Sequence, residues 1–201
     1  MLARRTTLLL CGLALYGLSL TLLVRADLGL DPWDVFHQGL ADSIGLSLGT
    51  TIVLTSFAVL ALWVPLRERP GIGTVANAVL VGLGVEVFTA AIPEVESIWL
   101  RCTLLVLGIV GNGVATGMYI GAGMGPGPRD GLMTGIARRR GSIRVVRTSI
   151  ELAVLATGIV LGGTFGIGTV AYAVTIGPLA QFFLPIFTRI GVAPRRQPAV
   201  V

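Results

Sequence analysis

Apolar residues fill long stretches of this chain, and charged residues fall almost entirely between those stretches. A hydrocarbon core of about 30 Å takes about 20 residues of α-helix to cross. Six segments meet that description, over residues 7–24, 50–66, 74–92, 102–120, 148–161 and 168–186. The fifth is short, and its helix is expected to begin upstream, with Arg144 and Arg147 snorkelling to the interface. The first follows Arg4 and Arg5 as a secretory signal would, but it lacks a small-residue cleavage pattern and is expected to be retained.

Between the first and second spans the period changes. Leu28-Gly29-Leu30-Asp31-Pro32-Trp33-Asp34 leads into Trp33, Phe36, His37, Leu40 and Ile44 at helical spacing, with Asp34, Gln38 and Asp42 on the opposite face. Pro32 suits the first helical position, Asp31 suits the N-cap, and Asp34 falls in the first turn, where a carboxylate complements the helix dipole. After the fourth span, Gly125-Pro126-Gly127-Pro128-Arg129-Asp130 opens a similar segment through Leu132, Met133 and Ile136. Each segment is predicted to be a short re-entrant or interfacial helix.

These similarities belong to an internal repeat. Residues 71–88 and 166–183 are identical at ten of eighteen positions, from Gly71-Ile72-Gly73-Thr74-Val75-Ala76 on Gly166-Ile167-Gly168-Thr169-Val170-Ala171 to Phe88 on Phe183. At an offset of 96, Gly12, Gly17, Gly29, Pro32, Asp34 and Gly39 fall on Gly108, Gly113, Gly125, Pro128, Asp130 and Gly135. The chain therefore reads as two units, 1–97 and 98–201, forming one membrane domain of three spans each. An odd number of crossings per unit inverts the second unit relative to the first, an arrangement frequent among secondary transporters.

Composition supports a membrane class. The 201 residues are 54% hydrophobic and 12% charged, against roughly 25% charged in a soluble domain, and the mean hydropathy is +0.87. The chain has no lysine, and its fifteen arginines outnumber ten carboxylates. Those arginines lie at the ends of apolar segments, where they orient a membrane protein, and this placement argues against nucleic-acid binding. A cytoplasmic N-terminus puts thirteen arginines inside and only Arg25 and Arg101 outside, with both termini cytoplasmic. Cys11 and Cys102 sit in or beside apolar runs and are expected to be small core residues, with no disulfide, metal site or cofactor implied.

The candidate chemistry is sparse. Glu86 lies in the third span, where a charge at mid-bilayer costs about 3 kcal/mol, and its repeat counterpart is Gln181. It is read as a buried proton or cation acceptor. Asp34 and Asp130 recur symmetrically, as caps or as gate and ion positions. Arg129, in the place of Trp33, would favour an anion at a helix N-terminus, and His37 is a candidate proton sensor. Glu151 is spaced to pair with Arg147. Asn77 and Asn112, whose counterparts are Tyr172 and Tyr16, are expected to bridge helices. Gly113, Gly117, Gly121 and Gly125 form one small-residue face, packed on another span or on a second protomer. No nucleophile and base occur at useful spacing, and without lysine there is no phosphate-binding G-x-x-x-x-G-K-[ST] loop, so an enzyme or a primary ATP-driven pump is not expected.

The Gly29-Leu30-Asp31-Pro32-Trp33-Asp34 turn, the His37-Gln38-Gly39-Leu40 segment, Gly125-Pro126-Gly127-Pro128-Arg129-Asp130-Gly131-Leu132-Met133, and Ser142-Ile143-Arg144 with Arg147-Thr148 together resemble the YczE/YyaS/YitT group of bacterial integral membrane proteins. The resemblance covers nearly the whole chain and implies a bacterial plasma-membrane location. The expectation is an all-α bundle of six spans in two inverted repeats, acting as an ion-coupled permease for a small solute or ion and surrounded by lipid. A membrane-embedded accessory or scaffold protein that binds partners without transporting is the alternative, and a homodimer is compatible with either.

Overall fold

The computed structural model describes residues 2–191, and among these it contains nine α-helices and no strand. Arg195 and Arg196, counted above with the inner arginines, lie outside the described residues. Helix α1 covers Leu2–Ala26, α2 Pro32–Ile44, α3 Leu48–Ala61, α4 Trp63–Leu66, α5 Ile72–Ala91, α6 Ile98–Gly121, α7 Pro128–Arg140, α8 Ile143–Val160 and α9 Ile167–Gly191. The break between α3 and α4 has a covalent cause: Pro65 has no N–H for the carbonyl of Ala61, where α3 ends. Pro178 and Pro185 stand inside α9 and take helical donors from the carbonyls of Val174 and Gln181 in the same way.

Five helical segments are long and apolar enough to cross a membrane: α1, α3 with α4, α5, α6 and α9. The fifth expected span does form, as α8, but its 18 residues carry Arg144, Arg147 and Glu151 and keep it out of that class. Large apolar side chains face outward around the bundle, among them Leu54, Phe57, Val87, Val106, Val174 and Phe182. A continuous apolar exterior of this kind is solvated by lipid rather than water. The chain is an all-helical, multi-pass membrane protein.

Helices α1 and α6 form the antiparallel centre, bringing Gly12 against Met118 and Tyr119, and Gly108 against Ser19 and Leu23. Helix α5 runs parallel to α1, with Gly17 against Gly84 and Arg25 hydrogen-bonded to the carbonyl of Thr89 at 2.6 Å. Helix α9 runs parallel to α6, with Leu179, Phe183 and Phe187 on Gly113, Gly117 and Gly121. The neighbour of the glycine face is thus a span of the same chain. Cys11 and Cys102 are free and exposed, not core residues.

Contacts recur at the repeat offset. Arg5 donates from Nε to the carbonyl of Ala122 at 2.7 Å and also to that of Gly123; Arg101 donates from Nε to the carbonyl of Ala26 at 2.7 Å and also to that of Asp27. The Leu28 carbonyl accepts from Gly168 N at 2.7 Å, and the Met124 carbonyl accepts from Gly73 N at 2.9 Å. Beside them Gly29 (φ +112°) lies against Gly166 and Thr169, and Gly125 (φ +126°) against Gly71 and Thr74. Only glycine fits these turns, because the left-handed φ strains any L side chain and another backbone stands where a Cβ would go.

Candidate functional site

The two turn motifs meet inside the bundle. Asp31 caps α2 as its position predicts, its Oδ1 accepting from Trp33 N at 2.8 Å and Asp34 N at 2.9 Å. Arg129, in the first turn of α7, reaches within 3.7 Å of the same oxygen. Its guanidinium also donates to Tyr16 Oη at 3.2 Å and lies 5.5 Å from the centre of the Trp33 ring. Trp63 Nε1 donates to the Pro128 carbonyl at 3.1 Å, so α4 holds the start of α7 in place. Helix α7 begins at Gly127 with no side-chain cap.

A small cavity of about 60 Å³ surrounds this meeting point, lined by Asp31, Trp33, Arg129 and Asp130 among others. It adjoins, and shares seven lining residues with, a larger cavity of about 320 Å³ between α8 and α9, which extends toward the C-terminal end of α6. Arg144, Arg147 and Glu151 line one wall of the larger space; Ile176, Gly177 and Leu184 line the other. All three tyrosines of the chain, Tyr16, Tyr119 and Tyr172, line both cavities. Tyr119 donates to Asp130 and Tyr172 to Asn112 Oδ1 at 3.2 Å, while Arg147 pairs with Glu151 at 2.9 Å.

Among the residues singled out from sequence, Arg129 and Asp130 line the cavities. Asp34 and His37 are fully buried beside them but line neither, and Asp34 Oδ1 lies 2.9 Å from His37 Nδ1. The polar face expected for α2 is therefore largely internal; only Asp42 is exposed, and Gln38 Oε1 accepts from Thr164 N at 2.8 Å. Burial pushes the Asp31 carboxyl up, the neighbouring Asp34 adds to this, and Arg129 opposes it. Burial likewise raises Asp34 and lowers His37, so the pair is held by a hydrogen bond with a neutral imidazole rather than as an ion pair.

Glu86 stands apart from this centre. It lies near the C-terminal end of α5, where its Oε1 accepts from Ser47 Oγ and from Thr50 N at 3.0 Å, so that it caps α3 from a neighbouring helix. The tyrosines were missed as site residues because each reads singly as a core aromatic. The available signal was scarcity: three tyrosines in 201 residues, each in a span.

The two halves differ at one seam. Helices α3 and α5 pack so closely at Gly49 and Gly82 that a Cβ on either would run into the carbonyl of the other. At an offset of 95, which relates residues 71–88 to 166–183 and the N-caps Ser47 and Ser142 of α3 and α8, the counterparts of these glycines are Arg144 and Gly177. Helices α8 and α9 make almost no contact, and a Cβ on Gly177 would meet nothing within 4 Å. The large cavity occupies the place where the first half is sealed.

Residues 3–185 match a family of unknown function, DUF6198. An uncharacterized protein of Haemophilus influenzae is 38% identical over 189 residues, covering 94% of this chain and 87% of its own. The uncharacterized membrane protein YczE of Bacillus subtilis is 35% identical over 172 residues, covering 85% and 80%, and the uncharacterized protein YyaS of the same organism is 27% identical over 193 residues, covering 92% and 95%. No solved structure matches the chain.

Proposed function

Since the chain belongs to the DUF6198 family, whose relatives include a named membrane protein, we propose that it is a permease of the bacterial plasma membrane for a small solute or ion. It crosses six times, with α8 as the fifth span, in two inverted repeats and with both termini in the cytoplasm. Supporting the inversion, Arg5 and Arg101 make matching contacts at opposite ends of the antiparallel α1–α6 pair. The axis relating them then lies in the membrane plane.

The observation that carries the reading is the unequal seam: α3 and α5 are closed at Gly49 and Gly82, whereas α8 and α9 are parted by a cavity at Arg144 and Gly177. Related units held in different conformations are what alternating access requires, because exchanging the two conformations moves the opening to the other side. In this orientation the cavity opens to the cytoplasm. Glu86, bound to Ser47 and Thr50, is the latch of the closed seam rather than an ion site, and Asp130 beside Tyr119 is the coupling-ion position. The glycine face that an accessory protein would offer to partners is covered by α9.

The test uses a chain with Cys11 and Cys102 replaced, carrying Gly177→Cys or Val53→Cys, the latter at the side chain that meets Gly82 in the closed seam, and a thiol reagent that cannot cross the membrane. Gly177→Cys is expected to label from the cytoplasmic side and Val53→Cys to be protected. Adding Glu86→Ala, which releases the latch, should slow labelling at position 177 and expose position 53 from outside. Labelling that Glu86→Ala leaves unchanged at both positions would mean a static cavity, and the permease reading would fall.

A further inference from the structure

We infer that the cavity joining the Arg129 turn to the α8–α9 opening takes a small organic monoanion, an apolar body carrying one carboxylate. The inference deepens the permease reading and rests on it only for passage, since binding is measured without transport. Two features at the closed end call for an acceptor. The Arg129 guanidinium makes a single hydrogen bond, to Tyr16; Asp31 at 3.7 Å is beyond hydrogen-bond reach and already accepts from two backbone N–H groups. Trp33 is 7% exposed and lines the small cavity, and its Nε1, which can only donate, is buried without a partner. Arg147 is engaged with Glu151 and Asp130 with the Tyr119 hydroxyl, while Arg144 is exposed in the first turn of α8, at the far end of the larger cavity.

The protein carries its own comparison. In the first half the carboxylate of Asp31 lies on the N–H groups of Trp33 and Asp34. In the second half the equivalent position is Gly127, without a side chain, and α7 has no side-chain cap. One repeat thus supplies a capping carboxylate that the other lacks, and the place of the missing side chain is flanked by the Tyr119 hydroxyl and the Asn77 amide, so the ligand's carboxylate is met from the Arg129 and Trp33 side. Asp130 is the opposing charge: its Oδ2 stands 3.0 Å from the place a Cβ on Gly127 would take. Away from this end the ligand meets Ala173, Ile176, Gly177, Ala180 and Leu184 of α9, an apolar wall in a space of about 320 Å³. A hydrated inorganic ion has no use for such a wall; a small hydrocarbon body does.

The experiment measures calorimetric binding to the purified full-length protein in detergent of benzoate, its cationic counterpart benzylamine, and inorganic phosphate. Benzoate alone is expected to bind. Arg129→Gln should raise its Kd by at least about tenfold through loss of a charge-assisted pair, and Asp130→Asn should lower it about threefold by removing a like charge. Gly177→Leu, at a position where the fold has open space, should raise Kd by filling the apolar wall. Binding of benzylamine instead, of phosphate alone, or of none of the three would overturn the inference, and these ligand comparisons on the unmodified chain do not depend on any variant folding. Benzoate binding with a static cavity in the labelling experiment would retain the site and remove the permease; alternation without benzoate binding would do the reverse.

Discussion

Trp63 and Pro128 are joined across the two halves by the indole N–H and the prolyl carbonyl at 3.1 Å, and the Trp63 ring fills the space left by Gly131 on the same helix. This contact sets the position of Arg129, the next residue along. Trp63→Phe keeps most of the ring and removes the donor. It is expected to destabilise the protein by about 0.5–1.5 kcal/mol, the net contribution of one hydrogen bond, since the Pro128 carbonyl keeps its helical donor within α7. Thermal unfolding in detergent measures this, and an unchanged midpoint would show that the bond contributes nothing.

Arg5 and Arg101 each hold two carbonyls just past the end of a neighbouring helix. Such carbonyls lack helical partners, and hydrogen bonds from a charged donor contribute about 1.5–3 kcal/mol. Arg5→Gln and Arg101→Gln are therefore expected to cost similar amounts in that range. A loss confined to one of them would show that the matching geometry does not carry matching energy.

Gly82→Ala and Gly177→Ala are the same substitution at equivalent positions with different expected results. At Gly82 the new methyl meets the Gly49 backbone, an overpacking that costs about 1–3 kcal/mol. At Gly177 it meets open space, and the helix-forming gain of alanine over glycine is offset by crowding against Pro178, leaving stability within about 0.5 kcal/mol of the parent. Equal losses at the two sites would contradict the unequal seam.

His37 is lowered in the folded protein mainly by burial. A base lowered on folding takes up its proton more readily in the unfolded chain, so stability is lost as pH falls below the ordinary histidine value of 6.5. His37→Gln should flatten the slope of stability against pH below that value, by up to about 1.4 kcal/mol per pH unit. Parallel slopes for parent and variant would place the proton uptake elsewhere.

Much of this architecture was legible because it is written in local patterns. The span positions follow from runs of apolar residues, the Asp31 cap from its place before Pro32, and the Arg147–Glu151 pair from helical spacing. What one-dimensional reading missed depends on distant partners. Glu86 reads as a buried proton or cation acceptor without a partner because Ser47 and Thr50 are far away in sequence. Asp34 reads from sequence as a cap or a gate position on the polar face of α2, and its full burial is not foreseen because nothing local shows that α8 covers α2, with Gly158 against Phe36. The convergence of Tyr16, Tyr119 and Tyr172 needs three helices to be in place at once.

The exchange of turn contacts between the halves also bears on how the chain is made. The carbonyl of Leu28 finds its donor in Gly168, and Gly29 rests against Gly166 and Thr169. During synthesis the first turn therefore lacks these partners until nearly all of the later helices have been threaded in. Assembly is completed late and all together, and a nascent chain stalled after α7 would present that open turn to the cell's proteolytic surveillance.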